Sequence, residues 1–295
     1  MKVMFKWVIL LGLAYTIMGC EGTTYPSINM PSKPSNLMAT SINQNSVRIK
    51  WTPPKSTVIG YTISLLDPML SIIRTEQIGN DSVYQFNDLN EGIVFTFRVQ
   101  ARSADTVSNP IDIKWAAARR VEGTLYVNES LSCGYNFLNG STLSLQNASQ
   151  WDICLVVDSS VNPISYSLST PGASSFVDND GTIIRGIQAG ISARKTYIFN
   201  FGINPFVYQN IDSLSQIFDT SPIGTALNPL ENIASDIQEK EKGFILLLKT
   251  ASRNYVKMFV KAKNGSVIQK DNKGVFIQFE ASVQSVPDIA FAKRN

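Results

Sequence analysis

Apolar and polar residues alternate with a period of two along much of this chain, the pattern of strands that bury one face. The clearest run is Phe95 to Arg102, with odd positions apolar and even positions polar. Leu37 and Ala39, then Val47, Ile49 and Trp51, then Tyr61, Ile63 and Leu65 follow the same rule. Tyr84 with Phe86, and the closing set Ile111, Ile113 and Trp115, add two more strands. Pro53-Pro54 stops one strand, and Asn87 to Gly92 forms a turn. About seven short strands within roughly 85 residues, separated by regular turns, predict a two-sheet sandwich over residues 36–119.

Ala116 to Arg120 marks a boundary, beyond which residues 121–295 read as a second, larger domain. Tyr126, Tyr135 to Phe137, Leu143 to Leu145 and Trp151 to Val157 are strand-like, with Gly-, Asn- and Ser-rich turns between them. Phe244 to Leu248, Tyr255 to Ala262 and Val275 to Val283 predict an antiparallel meander. Asn264-Gly265 is its hairpin turn and Lys270 to Gly274 a second turn. One helix is predicted from Asn228 to Gly243. Asn228 is its N-cap and Pro229 sits in the first turn, while Leu230, Ile233, Ala234 and Ile237 share a face. The fold class is therefore mainly β: a sandwich followed by a larger antiparallel β-rich domain with one or two short helices.

The N-terminus says where such a body would work. Lys2 and Lys6 lead into an apolar run, Trp7 to Met18, which closes on Gly19-Cys20. A positive start, an apolar stretch of about 7–15 residues and a small residue at its end make a secretory signal. The run is shorter than the roughly 20 residues of a spanning helix. Ile17-Met18-Gly19-Cys20 resembles the lipobox of bacterial lipoproteins. That resemblance implies removal of residues 1–19 and acylation of Cys20, with residues 20–35 as a flexible tether. The mature protein is then expected in the cell envelope, at the outer membrane, with the membrane as a partner through Cys20.

Composition narrows the chemistry. The chain has no histidine, which removes the commonest general base and metal ligand and the usual activator of a serine or cysteine nucleophile. Loss of the signal takes Lys2 and Lys6 with it and lowers the formal charge from +3 to +1, which leaves no electrostatic footprint for nucleic acid. The expectation is a protein that is not an enzyme. Cys133 and Cys154 are either disulfide partners or two buried thiols, and an oxidising compartment favours the bridge.

Two further resemblances carry the reading. Pro34 to Ala39, Ser46 to Pro54, Gly60 to Ile63, the Leu89 turn and Phe95 to Ala101 are similar to a fibronectin type III domain. The resemblance places Trp51 between the sheets and Leu89 and Phe95 at the corner before the sixth strand. Phe95 stands where that family usually has tyrosine. The loop Ser103 to Ser108 holds no Arg-Gly-Asp, so integrin-type adhesion gains no support. Gly134 to Gly140 with Trp151-Asp152-Ile153, and the strand Thr250 to Lys257, resemble the HmuY-like haem-binding lipoproteins over residues 121–295. That resemblance implies a haem carrier, but its histidine or methionine ligand pair has no counterpart here, Met258 being the sole methionine of this domain.

Tyrosine can ligate haem iron, which makes Tyr126, Tyr135, Tyr166, Tyr197, Tyr208 and Tyr255 candidates, with Arg194-Lys195 offering charge to a propionate. Each is also an ordinary strand residue with a wet hydroxyl. Asp178-Asn179-Asp180-Gly181 resembles the start of a calcium loop but lacks its spacing and downstream glutamate, so it reads as a tight turn. Phe199 to Tyr208 is dense in aromatics and serves either a ligand rim or the core. No catalytic residue and no metal site are assigned, and no cofactor is expected beyond the haem alternative. The expected function is a membrane-anchored, non-catalytic binding module contacting an envelope protein, a glycan or a small ligand.

Overall fold

A computed structural model describes residues 30–128, 130–170, 194–200, 213–219, 233–234, 236–239 and 241–290. Cys20 and its signal, the Asp178 to Gly181 turn, and Tyr208 with most of its aromatic segment lie outside the described residues.

Seven strands make the first body: β1 (Ser35–Asn43), β2 (Ser46–Thr52), β3 (Gly60–Leu66), β4 (Ile72–Ile78), β5 (Val83–Phe86), β6 (Phe95–Arg102) and β7 (Ile111–Trp115). They form two antiparallel sheets, β1-β2-β5 and β4-β3-β6-β7. The inward members of each alternating set fill the space between them, and Ile49, Ile63, Phe86 and Phe97 are wholly buried. Trp51 meets Tyr61 edge-on at 5.1 Å between ring centroids, the geometry that aromatic quadrupoles favour. Leu89 and Phe95 are buried at the corner, where the Leu89 amide donates to the Asn45 carbonyl at 2.9 Å. That backbone bond ties the corner without a tyrosine hydroxyl.

Register fixes where the chain enters and leaves. Ser35 opposes Thr52 at one pole of the sandwich and Asn43 opposes Ser46 at the other. β7 begins opposite Val99 and ends opposite Phe95. Its Trp115 indole donates to Ser41 Oγ at 3.2 Å, and Ser41 donates to the Ala116 carbonyl at 3.0 Å. Entry and exit therefore lie toward opposite poles, separated by the rise from Ser35 to Ser41, roughly 20 Å.

The second body follows after three buried alanines, Ala116 to Ala118. Its strands are β8 (Arg119–Tyr126), β9 (Gly134–Asn136), β10 (Ser141–Leu143), β11 (Ile153–Asp158), β12 (Ser165–Ser169), β13 (Tyr197–Asn200), β14 (Ile233–Ala234), β15 (Phe244–Lys249), β16 (Tyr255–Lys261), β17 (Gln269–Asp271) and β18 (Gly274–Val283). One sheet runs β10-β9-β11-β12-β14; the other runs β13-β15-β16-β18, with β17 and β8 also paired to β18. Leu155, Ile198, Leu248, Met258, Ile277 and Phe279 belong to the core between them. Asn264 and Gly265 both take positive φ, 53° and 76°, and Lys263 and Ser266 exchange backbone hydrogen bonds. This is the hairpin turn that the dipeptide predicts.

Two expectations are corrected. The helix from Asn228 to Gly243 is not formed over its described part: Ile233 and Ala234 pair with Ser169 and Leu168, and Ile237–Glu239 make a single 3-10 turn. Asn228 to Asn232 lie outside the described residues. Apolar spacing suited to a helix is overridden here by an open sheet edge. The candidate bridge between Cys133 and Cys154 is also absent, and both cysteines are buried thiols. Gly134 opposes Cys154, and Leu155 donates to the Cys133 carbonyl at 3.0 Å. Alternation then puts the two sulfurs on opposite faces of the sheet. The Cys154 thiol instead donates to the Ser169 carbonyl at 3.5 Å.

Gly134 is required by packing: a Cβ there would lie 2.3 Å from the Trp151 ring. Gly134→Ala is expected to destabilise the protein by about 2 kcal/mol or more through overpacking. Gly79→Ala, whose Cβ would meet nothing within 4 Å, should leave stability nearly unchanged. Urea unfolding midpoints of the two variants decide this.

Candidate interaction surface

The first body's most conspicuous surface is the turn between β3 and β4. Asp67 accepts from the Met69 amide at 2.9 Å and from the Ser71 amide at 2.8 Å, while its own amide donates to the Ser71 carbonyl at 3.0 Å. Leu70 sits at φ 65°, a left-handed conformation that a branched side chain adopts only when its surroundings impose it. The turn so held presents Met69, 89% exposed, beside Leu70 at 55%. Ile72 and Ile73 continue the apolar display along β4. Isolated exposed apolar residues are ordinary, but a contiguous, preorganised group marks a contact surface.

The residues singled out by the haem resemblance have structural tasks. The Asp152 carboxylate accepts from the Phe137 amide at 2.8 Å and pairs with Arg194. Burial pushes Asp152 up, against the Arg194 and Phe137 contacts. Asn136 donates to the Gln150 carbonyl at 2.7 Å and accepts from Asn139 at 2.9 Å. The Gly134 to Gly140 and Trp151-Asp152 segments thus knot β9, β10 and β11 together. Among the described tyrosines, Tyr126 donates to Asp271 at 2.8 Å and Tyr135 to the Glu122 carbonyl at 3.2 Å. Burial pushes the Tyr135 phenol up to about 12. Lys249 lies over the Tyr255 ring at 4.9 Å, and Lys195 over the half-exposed Tyr197 at 5.6 Å. Tyr166 is half-buried beside the core that encloses Met258. These groups do not converge, and among the described residues no cluster of three His, Cys, Asp or Glu could hold a metal.

Sequence reasoning missed the contact between the two bodies. The outer face of the larger sheet carries Ile245, Leu247, Tyr255 and Phe259, which join the first body's core through Leu214 and Ile217. Asp219 exchanges two 2.9 Å backbone hydrogen bonds with Ala39, covering the free edge of β1, and its carboxylate pairs with Lys257. Glu280 accepts from the Leu214 amide at 2.7 Å and from Ser213 at 3.2 Å, and it stands 4.0 Å from Arg120 and 3.9 Å from Lys261. Burial and the nearby Arg120 guanidinium push the Lys257 ammonium down to about 7. Burial likewise pushes Arg120 down to about 10 against the pull of Glu280. A strand reading gives no signal for this clasp, because Lys257 occupies an unremarkable polar position within β16. Beside it, Glu122, Thr124, Lys261 and Gln278 line a shallow cleft of about 340 Å³.

Lys257→Met leaves the Asp219 carboxylate buried and unpaired, and is expected to destabilise by about 3–5 kcal/mol. Adding Asp219→Leu should restore most of that loss, as denaturant unfolding of single and double variants would show.

Residues 32–114 match the family model of the fibronectin type III domain. Among solved structures, a computationally redesigned β-sandwich protein is 18% identical, with a TM-score of 0.29, covering 30% of this chain and 93% of its own. The fn3 domain of the human collagen alpha-1(XX) chain is 25% identical, with a TM-score of 0.27, covering 33% and 93%. A myokine structure is 27% identical, with a TM-score of 0.25, covering 30% and 98%. No curated protein matches the chain significantly. Residues 32–114 are thus a fibronectin type III domain, a fold suited to binding and interaction.

Proposed function

We propose that this chain is a non-catalytic envelope lipoprotein, held at the outer membrane by an acylated Cys20. Its fibronectin type III domain then carries the second β body away from the bilayer. The observation that supports this reading is the polarity of the first body. The chain enters at Ser35 and leaves past Trp115 at the opposite pole. An anchor upstream of Ser35 then enters at one pole, while the chain passes into the second body toward the other, roughly 20 Å away along β1. The clasp between the bodies makes that spacer stiff where a bare linker would be slack. Without histidine, and with its buried carboxylates engaged in pairs, the chain offers contact surfaces in place of catalytic groups. An envelope protein, a glycan or a small ligand is the class of partner such a body meets. The haem alternative is set aside, since Tyr126 and Tyr135 commit their hydroxyls to protein acceptors and Met258 is core.

Cys20→Ala is expected to abolish incorporation of an alkyne-tagged fatty acid in growing cells, while the unfolding midpoint of the purified protein stays unchanged. Retention of the label by Cys20→Ala would overturn the anchor.

A further inference from the structure

β4 is the outer strand of its sheet, and among the described residues nothing pairs with its free edge. Its sequence is Ile72-Ile73-Arg74-Thr75-Glu76-Gln77-Ile78, with Ile72 60% and Ile73 54% exposed. An edge of this kind is a template for another strand. Which strand it fits can be read from its charges. Two copies of one strand paired antiparallel about a twofold axis place position i opposite a position fixed by the centre of the pairing. Directly opposed side chains share a face, so the centre must fall on a residue. Centred on Thr75, each copy's Arg74 lies opposite the other copy's Glu76. Centred one residue earlier, Arg74 meets Arg74; one residue later, Glu76 meets Glu76. The charge order of β4 therefore favours one register, with two reciprocal ion pairs, over its like-charged neighbours.

The local geometry agrees. From Arg74 to Ile78, β4 follows β3 without a shift, and the irregularity lies between Leu66 and Leu65, opposite Ile72 and Arg74. The bulge at Ile73 ends the regular ladder, and the same register lays the exposed isoleucines beside Gln77 and Ile78 of the other copy. Ser64 and Thr75 share a hydrogen bond at 3.2 Å, and the Arg74 guanidinium donates to the Asn87 carbonyl at 3.2 Å. The central residues are thus held in place before any partner arrives. We propose that the β4 edge is self-complementary and joins two copies of this chain through one continuous antiparallel sheet. The inference does not depend on the anchor, since β4 lies wholly within the first body.

Thr75→Cys tests the register directly. In the purified full chain in non-ionic detergent, the two copies of position 75 are about 5 Å apart at their Cα atoms. Mild oxidation of this variant should then give a disulfide-linked dimer that the unmodified chain does not give. In Gln77→Cys each new thiol lies four residues out of register, roughly 13 Å from its mate, and should not cross-link. Sedimentation of Arg74→Glu should show dimer dissociation at least about tenfold easier, since two attractive pairs become repulsive. The double variant R74E/E76R, with its ion pairs restored in reverse, should recover the dimer. Equal cross-linking at positions 75 and 77, a monomeric unmodified chain, or a folded R74E/E76R that stays monomeric would each overturn the proposal.

Discussion

The pairing of β8 with β18 joins the first strand of the second body to its last, from Arg119 opposite Val283 to Tyr126 opposite Phe276. Only Ala116 to Ala118 separate β8 from the sandwich, so this ladder also sets where the larger sheet begins relative to the first body. Gln284, directly after β18, donates to the Ala117 carbonyl at 2.9 Å. Asn254 donates to the carbonyls of Gln284 and Ser285, each at 2.9 Å. The junction, the end of β18 and the start of β16 are thereby fastened at one point. Each of these carbonyls has a partner that exists only when the other elements are in place.

The same ladder sorts side chains between two unlike environments. Ile277, Phe279, Ala281 and Val283 face the apolar core of the second body. The alternate set, with Glu280 and Ser282 on β18 and Lys257 across from Ser282 on β16, faces the segment Ser213 to Asp219. A sheet buried on both sides normally reads as a continuous apolar run. Here the outer face is covered by a short segment that brings its own carboxylate and serine hydroxyl. Polar residues can therefore stay in the strands, at the expense of desolvating the cations Lys257 and Arg120. The first sandwich solves the opposite problem: it leaves β4 open and displays an apolar turn beside it.

Alternation made β2, β6 and β18 readable, because each has one apolar and one polar face. β4 was not readable: consecutive Ile72 and Ile73 break the period, and a strand exposed on both faces has no apolar stripe to detect. The contact surface on the β3–β4 turn went unseen with it. The helix reading failed because Leu230, Ile233 and Ile237 spacing is local, whereas the pairing of Ile233 with Ser169 is decided by a distant edge. The disulfide reading failed because separation along the chain does not say which face of a sheet a residue occupies. The ionic clasp depends on Asp219 meeting Lys257, two residues whose juxtaposition is set by tertiary packing alone.

The β8–β18 ladder also dictates an order of events during synthesis. The sandwich draws its strand pairings from residues 35–115 and has every strand it needs well before β18 emerges. β8 is made next, yet its partner β18 begins only at Gly274, so its hydrogen-bonding edge must wait through the whole intervening sequence. Closing so long a loop is slow compared with local hairpins. The second body therefore completes late, and a ribosome stalled short of β18 leaves a sandwich with its own strands paired but carrying an unsealed strand.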